Sequence, residues 1–237
     1  VLLDGIRRLP SDQCPPRPIL MNWHATSEVI AAQNRQLNKD TVWVSQKWAQ
    51  KGYNSIILKG QGNALLYPNP LRRASGDIDI WLDGKRDEIA SYIKGMFPKE
   101  EVTLIEMNFP VKKGTSIEVH FQPSFLYNPF SDRKMQHYYK LQQKNPKTVV
   151  LEGEPIQIPS NEMNLVFQLS HIYRHLFFEG IGLRQLMDYY YLLHMVHQEH
   201  DAPAIETAKR MIEEVNLLKF CKALMWVEGE VFGLPKD

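Results

Sequence analysis

The sequence predicts an α+β fold, a mixed αβ half followed by a helical bundle. Three observations lead there. Short apolar or alternating runs at 55–59, 77–82, 102–105 and 116–121 have the period of strands. Stretches at 27–51 and 85–96, set among them, carry apolar residues at three- and four-residue spacing. Beyond Pro159 the chain is nearly all helical, with runs at 161–178, 183–197, 204–215 and 217–232. Composition shifts near residue 145. The expected division is therefore a 1–145 αβ domain with an N-terminal arm and helices, and a 146–237 mainly helical domain.

Residues 10–18 hold four prolines and read as an extended arm. The first helix then follows from Val29, Ile30, Ala32, Leu37, Val42, Trp43 and Trp48, with Gly52 as its stop. The strand at 55–59 runs into Gly60-Gln61-Gly62 and a helical turn through Leu65 and Leu66, which Tyr67-Pro68-Asn69-Pro70 breaks. Asp77-Ile78-Asp79-Ile80 alternates with period two, as a half-buried strand does. Lys113-Gly114 is a turn signal before the strand at 116–121, and Glu152-Gly153-Glu154 centres a small hairpin over 147–158. Ser160 is an N-cap for the helix beginning at 161, and Gly180-Ile181-Gly182 separates it from the next.

A length of 237 residues suits one large domain or two small ones. Hydrophobic residues make up 43% and charged residues 23%, enough for a proper core. Lys and Arg number 28 against 27 Asp and Glu, a formal net charge of +1. That balance excludes a strongly basic nucleic-acid coat and an acidic tail, although it leaves room for a local basic pocket. Cys14 and Cys221 are too few for a disulfide framework, so a reducing, cytoplasmic setting is expected. No apolar run is long enough to span a bilayer, and the N-terminus lacks a signal-peptide layout. Val1 stands where an initiator Met would, so the sequence reads as a piece of a longer chain.

The sharpest chemical signal is Gly76-Asp77-Ile78-Asp79-Ile80. Residues two apart on a strand share a face, so Asp77 and Asp79 present adjacent carboxylates while Ile78 and Ile80 enter the core. Like charges side by side call for a cation, and Mg²⁺ favours such oxygen ligands together with substrate phosphates. Glu118, on another alternating strand, completes a three-carboxylate cluster if the two strands are neighbours; such a cluster can hold two metal ions. Upstream, Lys59-Gly60-Gln61-Gly62 is a glycine-rich strand-to-helix turn of the kind that admits phosphate, and Arg72 and Arg73 lie between the two elements. A lone Asp-x-Asp is more often a solvated sheet face; the order of these features is what makes the motif specific.

That order resembles the DNA polymerase β-like nucleotidyltransferase superfamily, and within it the bacterial uncharacterised nucleotidyltransferases. The matching residues are Leu58-Lys59-Gly60, Arg73, Gly76-Asp77-Ile78-Asp79-Ile80-Trp81, Glu118-Val119-His120 and Gly180-Ile181-Gly182-Leu183-Arg184-Gln185-Leu186-Met187-Asp188, and the likeness covers roughly 25–195. The resemblance implies a mixed sheet with flanking helices. It also implies Asp77, Asp79 and Glu118 as metal ligands and catalytic acids, and two Mg²⁺ ions. Its glycine turn, Gly60, Gln61 and Gly62 here, would hold a nucleoside triphosphate. Gln61 stands where Gly or Ser is usual, and the third acid is Glu rather than Asp.

Arg73 or Lys59 is the expected electrostatic clamp on phosphate, with Gly76 beside it. In the helical half, Arg184 and Asp188 lie four apart on one face. They read either as a surface ion pair or as a phosphate- or base-reaching arginine oriented by an acid, when the helical half closes over the nucleotide. His171, His175 and Glu179 also share a helix face and allow a transition-metal site, or simply a polar lining toward the αβ half. His194, His197 and His200 read as a solvated helix end, and the run Tyr189-Tyr190-Tyr191 as core and interface.

The leading expectation is a Mg²⁺-dependent nucleotidyltransferase that moves a nucleoside monophosphate from a nucleoside triphosphate to a hydroxyl or phosphate acceptor. The near-neutral charge favours a small-molecule or protein acceptor over a long nucleic acid. The alternatives are a non-catalytic nucleotide-binding regulatory or toxin–antitoxin-like module, and a metal-dependent hydrolase built on the helical histidines.

Overall fold

A computed structural model describes residues 2–6, 8–74 and 76–235. It is a mixed α+β structure. Helices α1 (Leu2–Ile6) and α2 (Arg17–Ala49) precede β1 (Ser55–Ile57), the single turn α3 (Gln61–Ala64) and β2 (Asp77–Leu82). Next come α4 (Arg86–Met96), β3 (Glu106–Asn108), β4 (Ser116–His120) and α5 (Pro129–Gln142). The hairpin β5 (Lys147–Leu151) and β6 (Glu154–Ile158) leads to α6 (Asn161–Phe178), α7 (Leu183–Gln198), α8 (Ala202–Glu214) and α9 (Leu218–Phe232). No helix among the described residues is long and apolar enough to cross a membrane.

Two expectations need correction. Helix α2 begins at Arg17, ten residues before Ser27, so it replaces the end of the proline arm. Pro18 falls in its first turn, where a missing N–H costs nothing because that donor has no intrahelical partner. Residues 102–105 do not form a strand: only Val102 bridges, to Met107, and Leu104 is exposed. The Thr103 hydroxyl accepts from the Ile105 and Glu106 N–H groups, closing a side-chain turn that competes with the ladder. Pairing therefore starts at Glu106. Helix α5 has no counterpart among the expected elements; its N-cap, Asn128, accepts from the N–H groups of Phe130 and Ser131.

The sheet runs β1-β2-β4-β3, with β2 and β4 parallel and the outer pairs antiparallel. Its two faces bury different partners. Ile57, Ile78, Ile80, Leu82, Ile117 and Val119 join a core with Leu37, Val44 and Trp48 of α2 and with Ile89 and Ile93 of α4. Ile56, Leu58 and Trp81 join a second core with α5 and the C-terminal helices, including Met163, Val166, Phe167, Tyr189 and Leu192. Asp77 and Asp79 share a face with Trp81, and Ser116, Glu118 and His120 lie on the corresponding face of β4. The polar residues of the two central strands are thus turned toward the helical half.

Candidate active site

Parallel register sets Asp77 against Ser116, Asp79 against Glu118 and Trp81 against His120. The strand adjacency left open by the sequence is therefore met, and Glu118 stands directly across from Asp79. Antiparallel β3 adds Glu106 opposite His120. Asp77, Asp79, Glu106 and Glu118 floor a cavity of about 450 Å³ between the sheet and the α6–α7 pair. Lys59, Gly60, Arg73, Gly76, Asp77, Asp79 and Glu118 line it from the αβ half, and His171, Arg174, His175, Glu179, Arg184 and Asp188 from the helical half.

Asp79 is the buried centre, 1% exposed. Its Oδ1 accepts from Lys59 Nζ at 2.8 Å and from His120 Nε2 at 3.0 Å. Burial alone would raise this carboxyl, but the Lys59 ammonium and the His120 contact outweigh it and hold Asp79 far below the usual carboxylate range. Burial would in turn lower the Lys59 ammonium; Asp79, with Asp77 and Glu118 behind it, raises it instead. Asp79 Oδ2 is buried and accepts no hydrogen bond. An ionised carboxylate keeps such an oxygen orphaned only at a cost, which a cation would relieve. Glu118 differs. Burial, then the charges of Asp79, Glu106 and Asp77, push its carboxyl up to about 7.

Asp79, Glu118 and His120 each offer a ligand atom, all within 4.8 Å of one another. No role of its own for His120 followed from the sequence, although its spacing of two from Glu118 was a signal, and Glu106 beside it lay outside every expected element. Asp77 lines the same cavity but stands outside this tight group. The residues present thus fit a divalent cation through two carboxylates, one with an orphaned oxygen, while His120 Nε2 donates to Asp79 Oδ1 and positions that carboxylate.

The glycine turn is only partly as expected. Gly60 has φ +53° and ψ −114°, and a Cβ there would lie 2.9 Å from the Asp77 carbonyl oxygen, so glycine is required where the turn crosses β2. Gly62 faces away from the cavity: a Cβ would meet Ile158 Cγ2 at 3.2 Å and the Ile57 carbonyl at 3.3 Å, so its role is close packing. Gln61 is buried and donates to Asn38 Oδ1 and to the Asn34 carbonyl, tying the turn to α2. Neither of them lines the cavity.

Arg73 is not an open clamp. Its Nε and Nη2 donate to Asp188 at 2.8 and 2.6 Å, and Nη1 donates to the Gly60 carbonyl at 3.1 Å. Asp188 also accepts from Tyr67 Oη at 2.6 Å and from Asn63 Nδ2 at 3.2 Å. Asn34 of α2 holds the backbone of this segment, donating to the carbonyls of Leu71 and Arg73. The expected Arg184–Asp188 partnership is replaced, because Asp188 is buried against Arg73 while Arg184 donates to the Ala74 carbonyl at 2.9 Å. A bidentate guanidinium–carboxylate pair across 115 residues thus joins the two halves at the cavity wall.

His171 and His175 face the carboxylates across the cavity, their ring centroids 4.1 Å apart. Burial lowers both imidazoles. His175 Nδ1 lies 2.8 Å from Glu179 Oε2 and its Nε2 lies 3.2 Å from Arg174, so both ring nitrogens are engaged. The polar-lining reading of this trio describes its position.

A family model described as an uncharacterised nucleotidyltransferase matches residues 1–233. Among solved structures, the chain is similar to an antigenic nucleotidyltransferase-like protein from Paracoccidioides brasiliensis. The TM-score is 0.45 and the identity 16%, over 80% of this chain and 92% of that one. No curated protein matches the chain.

Proposed function

The chain belongs to the family of uncharacterised nucleotidyltransferases, and we propose that it transfers a nucleoside monophosphate from a nucleoside triphosphate to a small-molecule or protein acceptor, with Mg²⁺ as cofactor. The observation that carries this reading is the Asp79–Glu118 pair across parallel strands, with Asp79 Oδ2 buried and unpartnered. Asp79, Glu118 and Asp77 would hold up to two Mg²⁺ ions, which supply charge neutralisation for the triphosphate.

The chain's own groups do the rest. Lys59 keeps Asp79 ionised and fixes its orientation. Gly60 and Gly76 leave the cavity wall without side chains, so that phosphate oxygens approach backbone. The acceptor oxygen bonds to the α-phosphorus, the bond from that phosphorus to the bridging oxygen breaks, and pyrophosphate leaves with the electron pair. Glu118, directly across from Asp79, would take the acceptor proton. The buried Arg73–Asp188 pair holds the helical wall against the glycine turn.

Pyrophosphate release with Mg²⁺ and each of the four nucleoside triphosphates, with cell extract as the acceptor source, tests the reading. Turnover in the wild type that disappears in Asp79→Asn supports it. Turnover that survives Asp79→Asn refutes it. Nucleotide binding without pyrophosphate release favours a regulatory module, for which the Lys59 ammonium already seated on Asp79 is the supporting observation.

A further inference from the structure

The carboxylate wall has one anion-neutralising side chain after another committed elsewhere. Lys59 is spent on Asp79, Arg73 on Asp188 and Gly60, and Arg184 reaches the Ala74 carbonyl. Lys59 and Arg73 each face a carboxylate, so a triphosphate entering the cavity needs cations without one, and the helical wall supplies them. Arg174 lies on α6 between His171 and His175 and lines the same cavity.

The orientation of Arg174 is fixed by its neighbours. A guanidinium is always protonated and only donates, so in the 3.2 Å contact between Arg174 Nη2 and His175 Nε2 the imidazole nitrogen accepts. The His175 proton then sits on Nδ1, which donates to Glu179 Oε2 at 2.8 Å. This relay of Arg174, His175 and Glu179 defines the tautomer and holds the guanidinium in place. Its planar group also lies over the Phe125 ring, 5.3 Å from the centroid. Nε remains buried with no acceptor. A pre-oriented guanidinium with an unmet N–H, across a cavity from a carboxylate cluster, matches an oxyanion that a divalent cation binds on its other side.

We propose that Arg174 binds the β- and γ-phosphates of the nucleotide, the part that leaves as pyrophosphate. This assignment rests on the nucleotidyl-transfer reading of the cavity. It places the side-chain contact to the β- and γ-phosphates on the helical wall, opposite the backbone approach at Gly60 and Gly76, and it orients the nucleotide with its α-phosphorus toward Asp79 and Glu118.

The test is calorimetric binding of three probes in Mg²⁺: inorganic pyrophosphate, the four nucleoside triphosphates, and the corresponding nucleosides. The proteins are the wild type, Arg174→Ala, Arg174→Gln and Arg174→Lys, each shown to be folded by its urea midpoint. Arg174→Ala and Arg174→Gln should weaken pyrophosphate and triphosphate binding by about 10- to 100-fold, the worth of a charge-assisted hydrogen bond. Nucleoside binding should stay as in the wild type, and Arg174→Lys should fall between. Pyrophosphate binding unchanged in both Arg174→Ala and Arg174→Gln, with Asp79-dependent turnover intact in the wild type, overturns the Arg174 assignment alone. A wild type that binds neither pyrophosphate nor any triphosphate overturns the assignment and the transferase reading together.

Discussion

Replacing Glu118 by Gln should stabilise the fold above neutral pH and leave it nearly unchanged in acid. The carboxyl is raised from an ordinary 4.5 to about 7, first by burial and then by Asp79, Glu106 and Asp77. Between those two values the folded chain keeps a proton that the unfolded chain has lost, so wild-type stability falls as the pH rises through the interval. At about 1.4 kcal/mol per decade of proton affinity, the loss between pH 4.5 and pH 8 is about 3 kcal/mol. The side chain is 27% exposed, so this figure is an upper one. Glutamine is isosteric and does not titrate, so Glu118→Gln escapes that loss. Urea unfolding of both proteins at pH 4.5 and pH 8, without divalent cation, measures it as a difference of differences. Equal pH dependence in the two proteins would refute the account of the acid cluster. Adding Mg²⁺ at pH 8 should then raise the wild-type midpoint more than that of Glu118→Gln, by the linkage of ligand binding to folding.

Four further outcomes follow from the same geometry. Asp79→Asn leaves Lys59 without its carboxylate and should cost roughly 3 kcal/mol at neutral pH. Because the Asp79 carboxyl is depressed, that cost is present in full above the ordinary carboxylate range and fades as the pH falls below it, as denaturant melts across that range would show. Asp188→Ala strands the buried Arg73 and should lower stability by about 3–5 kcal/mol, whereas the double replacement Arg73→Met with Asp188→Leu should recover much of it in the same melts. Gly60→Ala should cost about 1–3 kcal/mol through backbone strain and its clash with the Asp77 carbonyl. Gly76→Ala, whose Cβ meets nothing within 4 Å, should leave the melt unchanged and weaken only triphosphate binding.

Much of the site is written in local pattern. Period-two alternation places Asp77 and Asp79 on one face of β2, and Glu118 with His120 on one face of β4, whatever the strands pair with. Helical spacing likewise places His171, Arg174 and His175 on one side of α6. Both readings need only the backbone geometry of a single element. The glycine turn shows the limit of that kind of reading. Gly60, Gln61 and Gly62 look equivalent in sequence, yet one opens the cavity, one binds α2 and one packs against β6. The direction of a side chain in a tight turn depends on φ and ψ, which neighbouring elements impose.

The sequence by itself determined the α+β class, the helical C-terminal half, the carboxylate strand and the residues that share each face. It did so because burial of one face leaves a periodic trace in the residues. Only the tertiary structure decided that β4 lies beside β2, that Arg73 is bound by Asp188 rather than offered to phosphate, and that the histidine helix faces the acids. These are pairings between segments as much as 115 residues apart, and a charge carries no mark in the sequence of which opposite charge will meet it. Partner choice is settled when the two cores close on the sheet, because desolvation then makes every unpaired buried group costly and selects the arrangement that satisfies most of them.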